Sequence, residues 1–102
     1  MPDQQEQEWF VYIIEATNGS LYTGITTDVA RRWGQHLSGK GARYFRGRKP
    51  KRLLMVEGGH DRSSASKREA QIKQLPRRAK LSLVQEYGQP DELQLRGISA
   101  PG

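Results

Sequence analysis

At 102 residues the chain has room for one domain with a modest core, and not for two. Its hydrophobic content of 34% is low enough that frayed ends are expected, and no apolar run reaches membrane-spanning length. A net charge of +6 and a pI near 10 favour a polyanionic partner, nucleic acid first, while the lack of cysteine excludes disulfides, thiol catalysis and Cys-ligated zinc and suits a cytoplasmic protein.

Residues 1–8, MPDQQEQE, are acidic and polar, unlike a signal peptide, and read as a disordered N-terminus. Trp9 to Ile14 is β-branched and aromatic, apolar on both faces, and therefore a central strand. Phe10, Tyr12 and Ile14 share one face of it. Asn18-Gly19 then marks a hairpin, with Ser20 to Ile25 as the return strand. The turn decides whether Tyr12 and Tyr22 can cooperate. A two-residue loop pairs Thr17 with Ser20 and puts the phenols on opposite faces. A three-residue loop, with Gly19 left-handed in a bulge, pairs Ala16 with Ser20 and sets Tyr12 against Gly24. A shared site requires this second register, and it is the one expected.

Asp28 suits an N-cap for a helix running to about Leu37. Val29, Trp33 and Leu37 fall at helical spacing and should face the sheet. Arg32 and His36 form the adjacent row, expected at the edge of the buried stripe and wet. Ser38 to Pro50 reads as a loop. From Val29 to Val56 there is no Asp or Glu, against nine Lys and Arg, with Tyr44 and Phe45 interleaved. Such a loop suits a phosphate backbone or an unstacked base, through Lys40, Arg43, Tyr44, Arg46, Arg48 and Lys49. The plainer alternative is a solvated loop that charge keeps soluble.

Arg52 to Glu57 is a third strand, which Gly58-Gly59 is expected to end. Asp61 or Ser63 caps a second helix to about Leu75, and Pro76 opens a third to about Tyr87. Residues 88–102 read as a flexible C-terminal tail. The fold class expected is α/β (α+β): a small three-stranded mixed sheet flanked by helices, in the order β-β-α-β-α-α. On the second helix Glu69 projects at the edge of the Ala65, Ile72 and Leu75 stripe. A half-buried carboxylate needs a partner. That partner is a salt bridge to Arg68 or Lys73, or a Mg²⁺ ion, which takes one or two carboxylates plus water and phosphate oxygens.

These residues together resemble the GIY-YIG nuclease family. The Gly and Ile of its first triplet are here Phe10 and Val11, with Tyr12 kept; the second triplet is Tyr22-Thr23-Gly24. The spacing of Arg32 and His36 fits, as does the glutamate of KREAQIK. The stretches LYTGIT, SGKGARY and RGRKP are similar to the small stand-alone bacterial branch, and the likeness spans residues 9–87. The late Asn or equivalent polar residue of many members is not matched by an Asn, since Asn18 in the turn is the only one; Gln71 and Gln74 are the candidate substitutes, and neither is assigned.

The resemblance implies a phosphodiesterase that uses one divalent cation, Mg²⁺ or Mn²⁺. Tyr12 takes the position of the general base and Tyr22 that of the residue placing the water or the scissile phosphate. Arg32 falls where charge on the phosphoryl oxygens is stabilised, His36 where a hydrogen-bonding partner or proton relay sits, and Glu69 where the metal is held. The expected function is cleavage of DNA, selected by structure and linked to repair, with RNA left open and a monomer expected. The alternatives are a non-catalytic nucleic-acid-binding module of the same fold and a domain that binds an acidic protein.

Overall fold

The computed structural model describes residues 7–87. The terminal segments 1–6 and 88–102 lie outside the described residues. The elements are β1 (Trp9–Ala16), β2 (Leu21–Thr26), α1 (Val29–Ser38), a 3-10 turn (Arg43–Phe45), β3 (Pro50–His60), α2 (Arg62–Lys73) and α3 (Arg77–Tyr87).

The sheet runs β2-β1-β3, and both pairings are antiparallel. The expected mixed sheet is thus corrected. β2 and β3 are parallel to each other, but β1 lies between them, so no parallel ladder forms. β1 is central, as its two apolar faces require, and Val11 to Ile14 are buried without a break.

Two clusters flank it. Val11 and Ile13 join Leu54, Met55, Ala65, Ile72 and Val84 beneath α2 and α3. Tyr12, Ile14 and Ala16 join Phe45 and Leu53 on the α1 face, with Val29 and Trp33 packed against them. Each fully buried Ile, Val or Met contributes about 1.5–3 kcal/mol over leaving it exposed, so β1 anchors both layers. Trp9 and Trp33 sit at the margins of these clusters, half-buried.

The hairpin adopts the three-residue loop. Tyr12 pairs with Gly24 and Ile14 with Tyr22, and the Ala16 amide donates to the Ser20 carbonyl at 2.9 Å. Gly19 has φ +87°, a left-handed conformation that only glycine adopts freely. The Arg77 guanidinium donates to the Gly19 carbonyl at 2.6 Å and ties the turn to α3.

β3 is longer than expected, because Gly58-Gly59 does not end it. Gly59 takes φ +80° and the strand continues to pair Trp9 with His60. The pair forms a bulge rather than a stop. A side chain at Gly58 would run into the Phe10 ring. α2 begins in a capping box, in which the Asp61 side chain accepts from the Ser64 amide and the Ser64 hydroxyl from the Asp61 amide. Where β3 meets α2, Glu57 accepts from Arg68 at 3.1 and 3.2 Å and contacts His60 at 2.8 Å. His60, for which the sequence offered no role, joins the strand to Ser64. Thr23 Oγ1 is the one buried side-chain polar atom without a partner among the described residues.

Candidate active site

The register brings both phenols to the α1 face, with ring centroids 6.2 Å apart. Gly24 is what allows it. A Cβ there would lie 2.5 Å from the Tyr12 hydroxyl and 3.0 Å from the Tyr22 ring. α1 supplies the other two groups. Asp28 caps the helix by accepting from the Arg31 amide at 3.0 Å, and Gly39, at φ +84°, closes it.

The helix is rolled from the expected orientation. Val29 and Trp33 face the sheet, but Leu37 is 55% exposed and His36 is 1% exposed. His36 is therefore a buried histidine, not a wet one at the stripe's edge. Packing explains the correction: the imidazole fills a slot between Tyr12, Tyr22 and Phe45, with centroids 5.9, 5.5 and 4.7 Å away. A leucine in that slot would remove the His36 hydrogen bond to the Tyr12 hydroxyl.

The hydrogen bonds fix the tautomer. The Ala42 amide lies 3.3 Å from His36 Nδ1, and an amide can only donate. Nδ1 is therefore the acceptor, and in the neutral ring the proton sits on Nε2. That Nε2–H donates to the Tyr12 hydroxyl oxygen at 2.9 Å. Burial, and then the charge of Arg32, push the His36 pKa down to about 4, so the ring is neutral at pH 7. His36 faces Tyr12 as a donor, which leaves the phenol's own proton directed elsewhere. Gly41 holds the arrangement, since a Cβ there would collide with His36 Nδ1.

Burial raises the Tyr12 phenol well above its ordinary range, and the neighbouring Tyr22 raises it further. Arg32 works in the opposite direction by hydrogen bond and charge. Its guanidinium is anchored by donating to Gln35 Oε1 at 2.8 Å. A phenolate at Tyr12 would thus have two donors beside it, a guanidinium and the His36 N–H.

Sequence reasoning missed Gln35, Gly41 and the Ala42 amide. Of these only Gly41, the second glycine of SGKGARY, leaves a mark in the sequence that fits a close approach. Gln71, a conceivable stand-in for the late Asn, instead accepts from Arg68 at 3.5 Å.

The basic loop folds back over Tyr22. Phe45 is buried, Tyr44 lies 5.2 Å from the Tyr22 ring, and the Arg48 guanidinium sits 4.4 Å above Tyr44. The Tyr44 hydroxyl donates to Ser20. Tyr44 is thus a packing residue of the loop as it stands. Lys40, Arg43, Arg46 and Lys49 are exposed.

Glu69 stands apart from the four. Of the five residues to which the resemblance gives roles, Tyr12, Tyr22, Arg32 and His36 gather on the α1 face of the sheet. α2 packs through Ala65 and Ile72 on the opposite face of β1, and Glu69 is bound by Lys73 at 3.1 Å. Its placement at the stripe's edge is as expected, with 24% of the side chain exposed. No group of three or more His, Cys, Asp or Glu is arranged to hold a metal among the described residues. The donor set fits a hydrated ion of the Mg²⁺ kind in number. One carboxylate is available, and its lysine partner is 53% exposed. Such an i,i+4 pair contributes only about 0.3–0.5 kcal/mol, so a divalent ion can displace the lysine.

The GIY-YIG catalytic domain matches residues 8–82, which takes in the whole sheet and most of the helices. The chain belongs to the GIY-YIG family. Within it, a UPF0213 protein of Cupriavidus pinatubonensis is 45% identical over 86 residues, covering 84% of this chain and 96% of that one. A UPF0213 protein of Desulfotalea psychrophila is 52% identical over 84 residues, covering 81% and 76%. The solution NMR structure of the UPF0213 protein BH0048 from Bacillus halodurans is 43% identical, with a TM-score of 0.54, and covers 91% of this chain and 99% of that one. The relatives are bacterial and small, as the sequence resemblance implied. No helix among the described residues is long and apolar enough to cross a membrane.

Proposed function

We propose that the chain is a divalent-metal-dependent endonuclease that hydrolyses phosphodiester bonds of DNA. The observation that carries this reading is the hairpin register, which puts Tyr12 and Tyr22 on one face beside Arg32 and His36. Arg32 takes the charge that develops on the phosphoryl oxygens. Tyr12 accepts the proton of the attacking water once it is a phenolate, a state that burial disfavours and that Arg32 and the His36 N–H partly offset. Tyr22 orients the water or the phosphate. Glu69, now paired with Lys73, is the carboxylate that would hold one Mg²⁺ or Mn²⁺, and the ion would supply positive charge and a more acidic water. Lys40, Arg43, Arg46, Arg48 and Lys49 bind the strand's backbone. The substrate is chosen by structure, as branched, nicked or single-stranded DNA, in a cytoplasmic repair setting, by a monomer.

One observation favours the second reading, a non-catalytic nucleic-acid-binding module: Glu69 is tied to Lys73, on the layer opposite the four. The two separate in one experiment. Branched and single-stranded DNA are incubated with the protein in Mg²⁺, in Mn²⁺ and in chelator. The endonuclease cleaves with either ion, stops in chelator, and in Glu69→Ala loses cleavage by about 100-fold or more while keeping DNA affinity. Binding without cleavage under any ion establishes the module instead. DNA contact itself must weaken steeply as salt rises.

A further inference from the structure

A cleft of about 300 Å³ opens beside Arg32, and neither Tyr12 nor Tyr22 lines it. Trp9, Thr26, Thr27, Arg31, Arg32 and Gln35 line it. We propose that it is a subsite for the nucleotide next to the scissile phosphate, with Arg31 on that nucleotide's phosphate and the Trp9 side of the cleft receiving its base. The proposal rests on the nuclease reading and adds to it the path of the strand.

Three features lead there. The first is continuity. β2 is an outer strand, and Tyr22, Gly24 and Thr26 alternate onto the tetrad's face. Gly24 is covered by the Tyr12 and Tyr22 rings, so the link from the tetrad to the cleft runs through Arg32. Arg32 belongs to both places: it biases Tyr12, and it forms a wall of the cleft, anchored to Gln35 at 2.8 Å.

The second is charge. Arg31 is exposed, and its guanidinium makes no ion pair among the described residues. The Arg62 guanidinium lies 5.8 Å from the Trp9 ring, on α2. Asp28 also lines the cleft, but its carboxylate is committed to the Arg31 amide as the helix cap. Arg31 and Arg32 stand in the first turns of α1, where the helix dipole favours acids, and the only acid there is the N-cap Asp28. Two arginines at that end gain nothing from the dipole, and they suit an anionic ligand.

The third is placement. Arg48 stacks on Tyr44 beside Tyr22, and Arg31 lines the cleft beside Arg32, with Trp9 contributed from the α2 layer at the end of β1. Cations therefore stand next to both Tyr22 and Arg32.

The test needs no cleavage. Binding of a fluorescein-labelled twelve-residue oligothymidylate is followed by anisotropy in chelator across a salt series. Arg31→Ala should weaken binding about fivefold to tenfold at low salt and reduce the slope of log affinity on log salt by about 0.7, the loss of one single-strand phosphate contact. Arg78→Ala, an exposed arginine on α3, is the matched control and should leave both unchanged. In a Trp33→Phe background Trp9 is the only tryptophan, and its emission should change on saturation with the oligonucleotide. Wild-type affinity and slope in Arg31→Ala, or an equal loss in Arg78→Ala, overturns the subsite. If Trp33→Phe fails to fold, the Arg31 comparison still decides. Absence of cleavage with metal, with these binding results intact, would instead count against the nuclease reading alone.

Discussion

Tyr12→Phe is expected to slow DNA cleavage by about 100-fold or more, the range for loss of a positioned acid–base group. It should do so without unfolding the protein, since the phenyl ring still fills the site among Ile14, Phe45 and Leu53. The variant leaves the buried Nε2–H of His36 without its acceptor, which costs about 1–3 kcal/mol and shows as a lower urea midpoint. The wild-type rate carries a second signature. Burial holds the Tyr12 phenol above its ordinary range, so the phenolate is a minor species at neutral pH. Cleavage should therefore accelerate through about pH 6 to 9, roughly tenfold per unit, as the base becomes available. A phenylalanine variant as fast as wild type, or a rate flat over that range, would remove Tyr12 from the chemistry.

Acid should destabilise the fold through His36. Unfolded, the imidazole takes up its proton near pH 6.5; folded, only near pH 4. Between those values the unfolded chain binds more protons, so stability rises with pH and falls as pH is lowered. The loss begins below 6.5, is complete near 4 and amounts to roughly 3 kcal/mol, a large part of a small domain's stability. Glu57 is held below the usual carboxylate range by His60 and Arg68, against the effect of burial, so its contribution disappears at lower pH. The window between about 6.5 and 4.5 thus belongs to His36. Urea melts at pH 7, 5.5 and 4.5 measure it, and His36→Gln, which has no such proton to take up, should flatten the curve. An unchanged slope in that variant would assign the acid sensitivity elsewhere.

The hairpin was legible because its logic is local. Asn18-Gly19 demands a turn with a left-handed glycine, but the turn alone admits two registers, and only the requirement of a shared face for the tyrosines favoured the three-residue loop that forms. β1 as the central strand was legible for a similar reason, two apolar faces in one run. The roll of α1 was not. Helical spacing favoured Val29, Trp33 and Leu37, yet the slot over Tyr12 wants a hydrogen bond, and His36 fills it while Leu37 stays in water. Hydropathy ranks leucine ahead of histidine and has no term for a buried hydroxyl two strands away in sequence. Gly58-Gly59 misled in the same way: glycines that usually end a strand here make the bulge that lets β3 continue. The Ala42 amide that sets the His36 tautomer was invisible, because a backbone donor leaves no mark in the sequence.

Glu69 shows where pattern and geometry part. Its stripe-edge position was readable from spacing, but spacing on one helix does not say which face of the sheet that helix covers. α2 covers the face opposite Tyr12, and the carboxylate rests on Lys73. Any role for Glu69 with a metal ion therefore includes exchange of the lysine for the ion.

The most direct measurement is single-turnover cleavage of end-labelled branched and single-stranded DNA in Mg²⁺ by the wild type and by Arg32→Ala, each at saturating protein. The expected result is cleavage by the wild type and a loss of about 100-fold or more in the variant, with DNA affinity within a few fold. Equal cleavage by both proteins, or a wild type that binds DNA and leaves it intact, would contradict the assignment of the tyrosine, arginine and histidine face to phosphodiester hydrolysis.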